Sequence, residues 1–326
     1  MNDEQRMLAE MADALFAGLG PEASLDRHWQ TVEEVALPGL MLAQDVGGFG
    51  GSWEDALIVF RLAGYHAVAL PIAEAVIGAA ITGQVSGRST IASSSQGTFA
   101  DGRFSGTISG ICWAEGADHV VTPCPPDSAI GGSMVIAASA LDVAHGGNIA
   151  GESRAVAHAD KAEVTVVAGD VFAMGALARV AQIAGALDAA LARSVDHANE
   201  RQQFGRALGK FQAVQQNLAT FACEAAATNC AAMGAAQAMA RGNAPFEIAA
   251  AKLRANQAVG VGAALAHQVH GAIGFTQEYS LHPLTRRLWA WRSEFGNDAY
   301  WAGLLGARIV ARGAADFWAD LAALTD

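Results

Sequence analysis

Cysteine is scarce in this 326-residue chain. Four are present, at Cys112, Cys124, Cys223 and Cys230. None forms a C-x-x-C pair and none joins histidine at zinc spacing, which excludes a disulfide scaffold and a zinc module. Reduced thiols in a cytoplasm are the expectation. Basic residues are also few, 20 against 32 acidic, for a net charge of −12. That balance argues against nucleic acid or anionic lipid as a partner. The polar, acidic start of the chain shows no signal peptide. The longest apolar stretches are Ala- and Gly-rich and broken by polar residues, so no membrane span is expected. His267, His270 and His282 surround a glycine turn at a spacing that makes no convincing metal site.

What remains is a globular chain, 52% hydrophobic and 16% charged, long enough for two or three units around a sizeable core. Residues 1–85 read as an N-terminal helical domain. Leu8, Met11, Leu15 and Phe16 share one face of a first helix. The glycine-rich stretch 47–51 precedes Ser52, which is placed to cap a helix from Trp53 to about Tyr65. This stretch reads as a connecting turn; a phosphate loop is the alternative, but no strand–GxGxxG–helix context accompanies it. Pro71 opens a further helix.

Residues 86–170 change to short alternating runs separated by turn residues: 97–100, 104–109, 119–122, 133–137 and 162–167. They predict a small antiparallel β-domain. From 171 to 326 the pattern is that of an antiparallel helix bundle. Leu177, Val180, Ala184, Leu187 and Leu191 mark one buried face. Further helices are expected from Phe211 to about Ala240, from after Asn243-Ala-Pro245 to His270, and from Asp298 to Arg312. A short helix is expected to end the chain. Their alanine content favours helix formation and close packing. The fold class is thus mainly α with a small β-domain.

Two motifs lie at helix ends in the bundle. The first, 201–215, reads Arg-x-x-Phe-Gly followed by Phe-Gln. The second, 267–279, contains Gln-x-x-Gly-x-x-Gly-Phe. With helices of the right length between them, they resemble the flavin-contacting motifs of the acyl-CoA dehydrogenase family. In that family one subunit's β-domain holds the flavin ring of FAD, and a partner subunit reaches across to hold the ADP half. The resemblance implies that Arg201 pairs with the FAD pyrophosphate, as a guanidinium fork suits phosphate oxygens. It implies that Phe204 packs on the cofactor and that Gln212 and Gln268 bond to it. Gly271 and Gly274 let backbone amides approach the pyrophosphate. Ala272 stands where the family usually carries a second glycine.

The other half of the family's site departs from the pattern. The flavin-ring segment, matched to 112–124, lacks the Thr-Glu-Pro-x-x-Gly-Ser-Asp signature, and Glu115 and Asp118 read as loop residues. Aligned on Arg286 and Gly296, the family's catalytic glutamate falls on Phe295. The alternative base position, at the start of the first bundle helix, falls on Gly175. Glu294 is the remaining candidate base; otherwise it is a carboxylate paired with Arg287 or Arg292. Trp289, Trp291 and Trp301 surround this segment as core, interface or substrate-space filler.

These departures resemble the short β-type subunit of heteromeric α2β2 acyl-CoA dehydrogenases acting on steroid side-chain CoA thioesters. The implied partners are a full-length acyl-CoA dehydrogenase subunit, an acyl-CoA substrate and an electron-transferring flavoprotein. A self-sufficient homo-oligomer using Glu294, and a helical interaction protein without flavin, are the alternatives.

Overall fold

The computed structural model describes residues 1–84, 87–128, 131–242, 244–313 and 315–323. The boundary expected at 85/86 and the helix break at Asn243 lie outside the described residues. Four helices come first: α1 (Asp3–Leu19), α2 (Leu25–Glu34), α3 (Trp53–Tyr65) and α4 (Ile72–Thr82). Asn2 begins α1 with a capping box shared with Gln5, and Ser52 begins α3 with one shared with Asp55. Pro71 is the N-cap residue of α4.

The glycine-rich stretch between α2 and α3 is a connecting turn. The amides of Gly48, Phe49, Gly50 and Gly51 donate to the carbonyls of Ala43, Gly39, Leu42 and Leu40. Those amides are spent, so none is left to cradle a phosphate.

Seven strands follow: β1 (Ser89–Ile91), β2 (Ser94–Ala100), β3 (Arg103–Cys112), β4 (His119–Pro123), β5 (Ser133–Ala137), β6 (Asp142–Gly147) and β7 (Ser153–Val167). They form one sheet in the order β1-β4-β5-β7-β3-β2, with β6 also on β7. The pairs are antiparallel except β1 with β4, which run parallel. The long strand β7 alternates inward Ala155, Ala157 and Ala159 with outward residues, as a one-sided sheet requires.

The bundle contains α5 (Val171–Glu200), a small hairpin of β8 (Gln202–Gln203) and β9 (Arg206–Ala207), α6 (Gln212–Ala240), α7 (Pro245–His270), α8 (His282–Ser293), α9 (Asp298–Arg312) and α10 (Phe317–Ala323). Helix α5 is its centre, packed on α3, α6, α7 and α8. By length and composition α5 could cross a membrane, but most of its apolar window is buried inside the fold. Its middle, residues 175–187, is buried on every side because neighbours surround it.

Its alanines let those neighbours approach closely, and glycine completes the approach at one crossing. A Cβ on Gly185 would lie 1.8 Å from the Arg61 carbonyl oxygen, and one on Gly64 would lie 2.1 Å from that of Gln182. The α3–α5 crossing is therefore backbone against backbone. Gly185→Ala is expected to lower stability by roughly 1–3 kcal/mol or more through overpacking. Gly234→Ala, on α6 with open space at the Cβ, is expected to raise it by roughly 0.5–1 kcal/mol. Urea unfolding of the two variants checks the contrast.

Candidate functional site

Between sheet and bundle lies a cavity of about 710 Å³. Its sheet side is formed by Ser93, Ser94, Gly110 and Cys112, and its bundle side by Phe172, Trp289, Phe295 and Tyr300, among others. From the segment 112–124, only Cys112 reaches it. Glu115 instead accepts from Ser153 and pairs with His145, and Asp118 accepts from the Arg88 amide. The serines at 93 and 94 were missed in the sequence; the run Ser93-Ser94-Ser95 leading into β2 was the available signal.

Behind the cavity runs a chain of alternating charges. Arg179 donates to Glu74 at 2.6 Å and to Glu294 at 2.7 Å. Arg154 donates to Glu294 at 2.8 Å and to Glu152 at 3.0 Å. Arg287 completes the chain on Glu152 at 3.2 Å. Arg179 is 1% exposed and touches the Cys112 sulfur at 3.4 Å. Burial alone would lower the Arg179 guanidinium, yet Glu74 and Glu294 raise it above its ordinary value. Burial pushes the Cys112 thiol up to about 12, so it is no nucleophile.

Glu294 and Arg154 are the members of this line of charges that reach the cavity wall, and Glu294 is the carboxylate among them. Its Oε1 accepts from Asn148 and from Arg154 Nε, and its Oε2 accepts from Arg154 and Arg179. Burial by itself would raise its carboxyl, but Arg154 and Arg179 hold it down to about 2. A carboxylate with both oxygens doubly occupied and so low a proton affinity is a poor base. Its partners are also not those expected from sequence. Arg287 pairs with Glu152, and Arg292 pairs with Asp298 at 2.9 Å. Spacing within one helix suggested those arginines, whereas the true partners come from β7 and α5.

The two positions where the resemblance would put a base touch each other. Phe295 is 2% exposed and adopts a left-handed φ of 51°. A Cβ on Gly175 would lie 2.5 Å from its ring. The ring packs edge-on to Phe172, with the Arg179 guanidinium 5.6 Å from its centroid. Trp301 donates to the carbonyls of Phe295 and Gly296 at 3.1 and 3.2 Å. Lys252, fully buried, donates to the carbonyls of Trp291, Arg292 and Gly296 and to Asn256. Burial pushes Lys252 down to about 7, while its four acceptor oxygens favour the ammonium. Trp291 donates to Glu152 at 3.0 Å from the core, and Trp289, 40% exposed, lines the cavity.

The two motifs at 201–215 and 267–279 lie at one end of the bundle. Arg201 caps the end of α5: its amide donates to the His197 carbonyl, and its own carbonyl accepts from Leu208. Its guanidinium makes no ion pair or side-chain hydrogen bond among the described residues. Phe204 and Gly205 form the hairpin tip, both at positive φ (51° and 80°), as a two-residue turn requires. Phe204 is 91% exposed. Gln212 is the exposed first residue of α6, and Gln268 is exposed near the end of α7.

Gly271 ends α7 at φ 65° with open space at its Cβ, and Ala272 is exposed beside it. Gly274 is different: a Cβ there would lie 2.9 Å from His270, so this glycine serves packing. The ends of α5 and α7 are joined by stacking of His197 on His270, with ring centroids 4.6 Å apart. Burial lowers both imidazoles, so the junction is uncharged at neutral pH. The described residues contain no group of His, Cys, Asp or Glu able to hold a metal.

Residues 165–310 match the family model "Acyl-CoA dehydrogenase, C-terminal domain". Acyl-CoA dehydrogenase IpdE2 of Mycobacterium tuberculosis is 26% identical over 314 residues, spanning 87% of this chain and 91% of that protein. Two solved structures share the fold. One is the ChsE4-ChsE5 complex from Mycobacterium tuberculosis, with TM-score 0.85 and 21% identity, covering 96% of this chain and 98% of the other. The second is the Tcur3481-Tcur3483 steroid ACAD variant, with TM-score 0.87 and 22% identity, covering 96% and 99%. The bundle thus matches the acyl-CoA dehydrogenase C-terminal domain, and the chain is similar to an acyl-CoA dehydrogenase along most of its length.

Two outcomes follow from the charge chain. Arg179→Leu leaves two buried carboxylates short of a partner and is expected to cost about 3–5 kcal/mol. Arg103→Ala, which breaks the exposed pair with Glu163, is expected to stay within about 1 kcal/mol. Equilibrium denaturation separates them. The pH dependence has a definite sign, because the Glu294 carboxyl is depressed from 4.5 to about 2 by folding. Its contribution is fully present above pH 4.5 and is lost as pH falls toward 2. The stability difference between wild type and Glu294→Gln should therefore shrink over that window and be constant above it.

Proposed function

We propose that this chain is the partner subunit of a heteromeric acyl-CoA dehydrogenase. It completes the FAD site across the interface while a full-length subunit supplies the ring site and the catalytic base. The observation that carries this reading is the Phe295–Gly175 contact: both base positions are filled by a phenyl ring and the glycine that makes room for it. The substrate is an acyl-CoA thioester, and the steroid ACAD neighbour supports a bulky side-chain thioester.

The residues at the α5/α7 end fit the ADP half of FAD. Arg201 offers a guanidinium with no competing anion, Gly271 leaves its backbone open, and Gln268 faces outward. Phe204 holds an exposed ring on a left-handed residue, a conformation that costs energy and favours a functional role. When bound, the flavin supplies the hydride acceptor of the reaction. This chain's part is to anchor the pyrophosphate from Arg201 and to fix the cofactor's tail from Gln212, Gln268 and the 271–272 backbone. An electron-transferring flavoprotein is the acceptor of the assembled enzyme.

Glu294 as base of a self-sufficient enzyme is the second reading. Its place on the cavity wall favours it, and its four donors weigh against it. A role without flavin sits poorly with the unpaired Arg201.

The test is purification of the chain alone and co-expressed with its full-length partner. The chain alone should carry little FAD, and the complex should carry stoichiometric FAD. A yellow, fully loaded homo-oligomer would overturn the reading. Arg201→Ala should lower the complex's FAD affinity by roughly a hundredfold, the scale of a lost charged hydrogen bond. Glu294→Gln should leave turnover per assembled, flavin-loaded complex within a few-fold of wild type. A loss on the order of 10²-fold would instead make this chain catalytic.

A further inference from the structure

We infer that this chain's own cavity is a ligand site, taking an uncharged, largely apolar molecule with one or two hydrogen-bonding oxygens and holding it without oxidising it. This rests on the reading that the chain lacks a base. The cavity, about 710 Å³, falls in the size range of small-molecule sites, which pair apolar walls with a few directed polar groups. Trp289 and Tyr300 line it, 40% and 48% exposed, and Phe172 packs edge-on to Tyr300. These are surfaces that gain from covering an apolar ring system.

The polar groups decide the ligand's charge. Glu294 and Arg154 are the ionised residues on the wall, and each is bonded to the other. The nitrogens of Arg154 are all committed, to Glu294, Glu152 and the Ser153 carbonyl. An anion entering the cavity finds no free cation, and a cation finds no free carboxylate. The hydroxyls of Ser94 and Ser293 also line the space and have no hydrogen-bond partner among the described residues. They are neutral donors and acceptors, suited to a ketone or hydroxyl oxygen. No group on the wall can take a proton from a bound carbon acid, since Phe295 fills the base position and Glu294 is saturated.

The test titrates the chain, alone and in the co-expressed complex, with androst-4-ene-3,17-dione, a neutral tetracyclic diketone. Tryptophan fluorescence and calorimetry report binding; lumiflavin and the anion taurocholate are compared. Saturable binding of the diketone is expected in both forms, weaker by at least about tenfold in Ser293→Trp, which fills the cavity from an exposed helix end. Ser94→Trp provides the same block from the sheet side should the first variant misfold. Absence of saturable diketone binding, binding indifferent to both blocks, or equal binding of taurocholate would overturn the inference. If that failure comes with a flavin-free chain, the partner-subunit reading stands. Lumiflavin held in preference to the diketone, together with FAD loading of the chain alone, would sink both.

Discussion

Six side chains from six segments of the fold form one electroneutral line: Glu74, Arg179, Glu294, Arg154, Glu152 and Arg287. They belong to α4, α5, the loop after α8, strand β7, the turn before it, and α8. Removing charges from water costs several kcal/mol per ion, and only their mutual pairing with further hydrogen bonds offsets it. The line therefore works as a unit: each ion is acceptable because its neighbours are present. It fixes the N-terminal helices, the sheet and the bundle relative to one another around the cavity.

The loop that ends this line is held equally firmly. Lys252 and Trp301 donate to four carbonyls between Trp291 and Gly296, covering the last turn of α8 and the loop beyond it, whose carbonyls have no helical partners. That clamp turns Phe295 inward at positive φ and directs Glu294 to the arginines. The side chain reaching the cavity floor is thus chosen by backbone hydrogen bonding, while the carboxylate is consumed by the structure's own electrostatics. The α5/α7 end of the bundle shows the reverse condition. There Arg201, Phe204 and Gln268 are exposed, and the Arg201 guanidinium has no side-chain partner among the described residues.

Much of this was legible in the chain. Ser52, the Leu177 to Leu187 face, and the span from Asp298 to Arg312 announced themselves through capping and periodicity, which are local. Helices α2 and α8 and strands β1 and β6 were not announced. They are short, and their apolar faces are defined by what packs on them. The same division holds at the site. Motif spacing singled out Arg201, Gln268 and Phe295 as candidates. It misassigned the partners of Glu294, because Arg154 and Arg179 are 140 and 115 residues away in sequence. A long-range ion pair leaves no mark on local pattern, and neither did Asn148 or Glu152, polar residues in an ordinary turn. The parallel β1–β4 pair was hidden for the same reason: direction depends on the crossover, not on alternation.

The contact between Gly175 and Phe295 has an evolutionary consequence. Any side chain larger than hydrogen at 175 collides with the ring, so a carboxylate cannot return there while Phe295 remains. A carboxylate at 295 would meet Arg179, whose charge is already matched by Glu74 and Glu294. On the proposed reading, either route to autonomy passes through an intermediate that is overpacked or carries an unbalanced buried charge. The two positions act as a ratchet. On the proposed reading, the dependence of this chain on another gene product is maintained by its own core, and single substitutions cannot undo it.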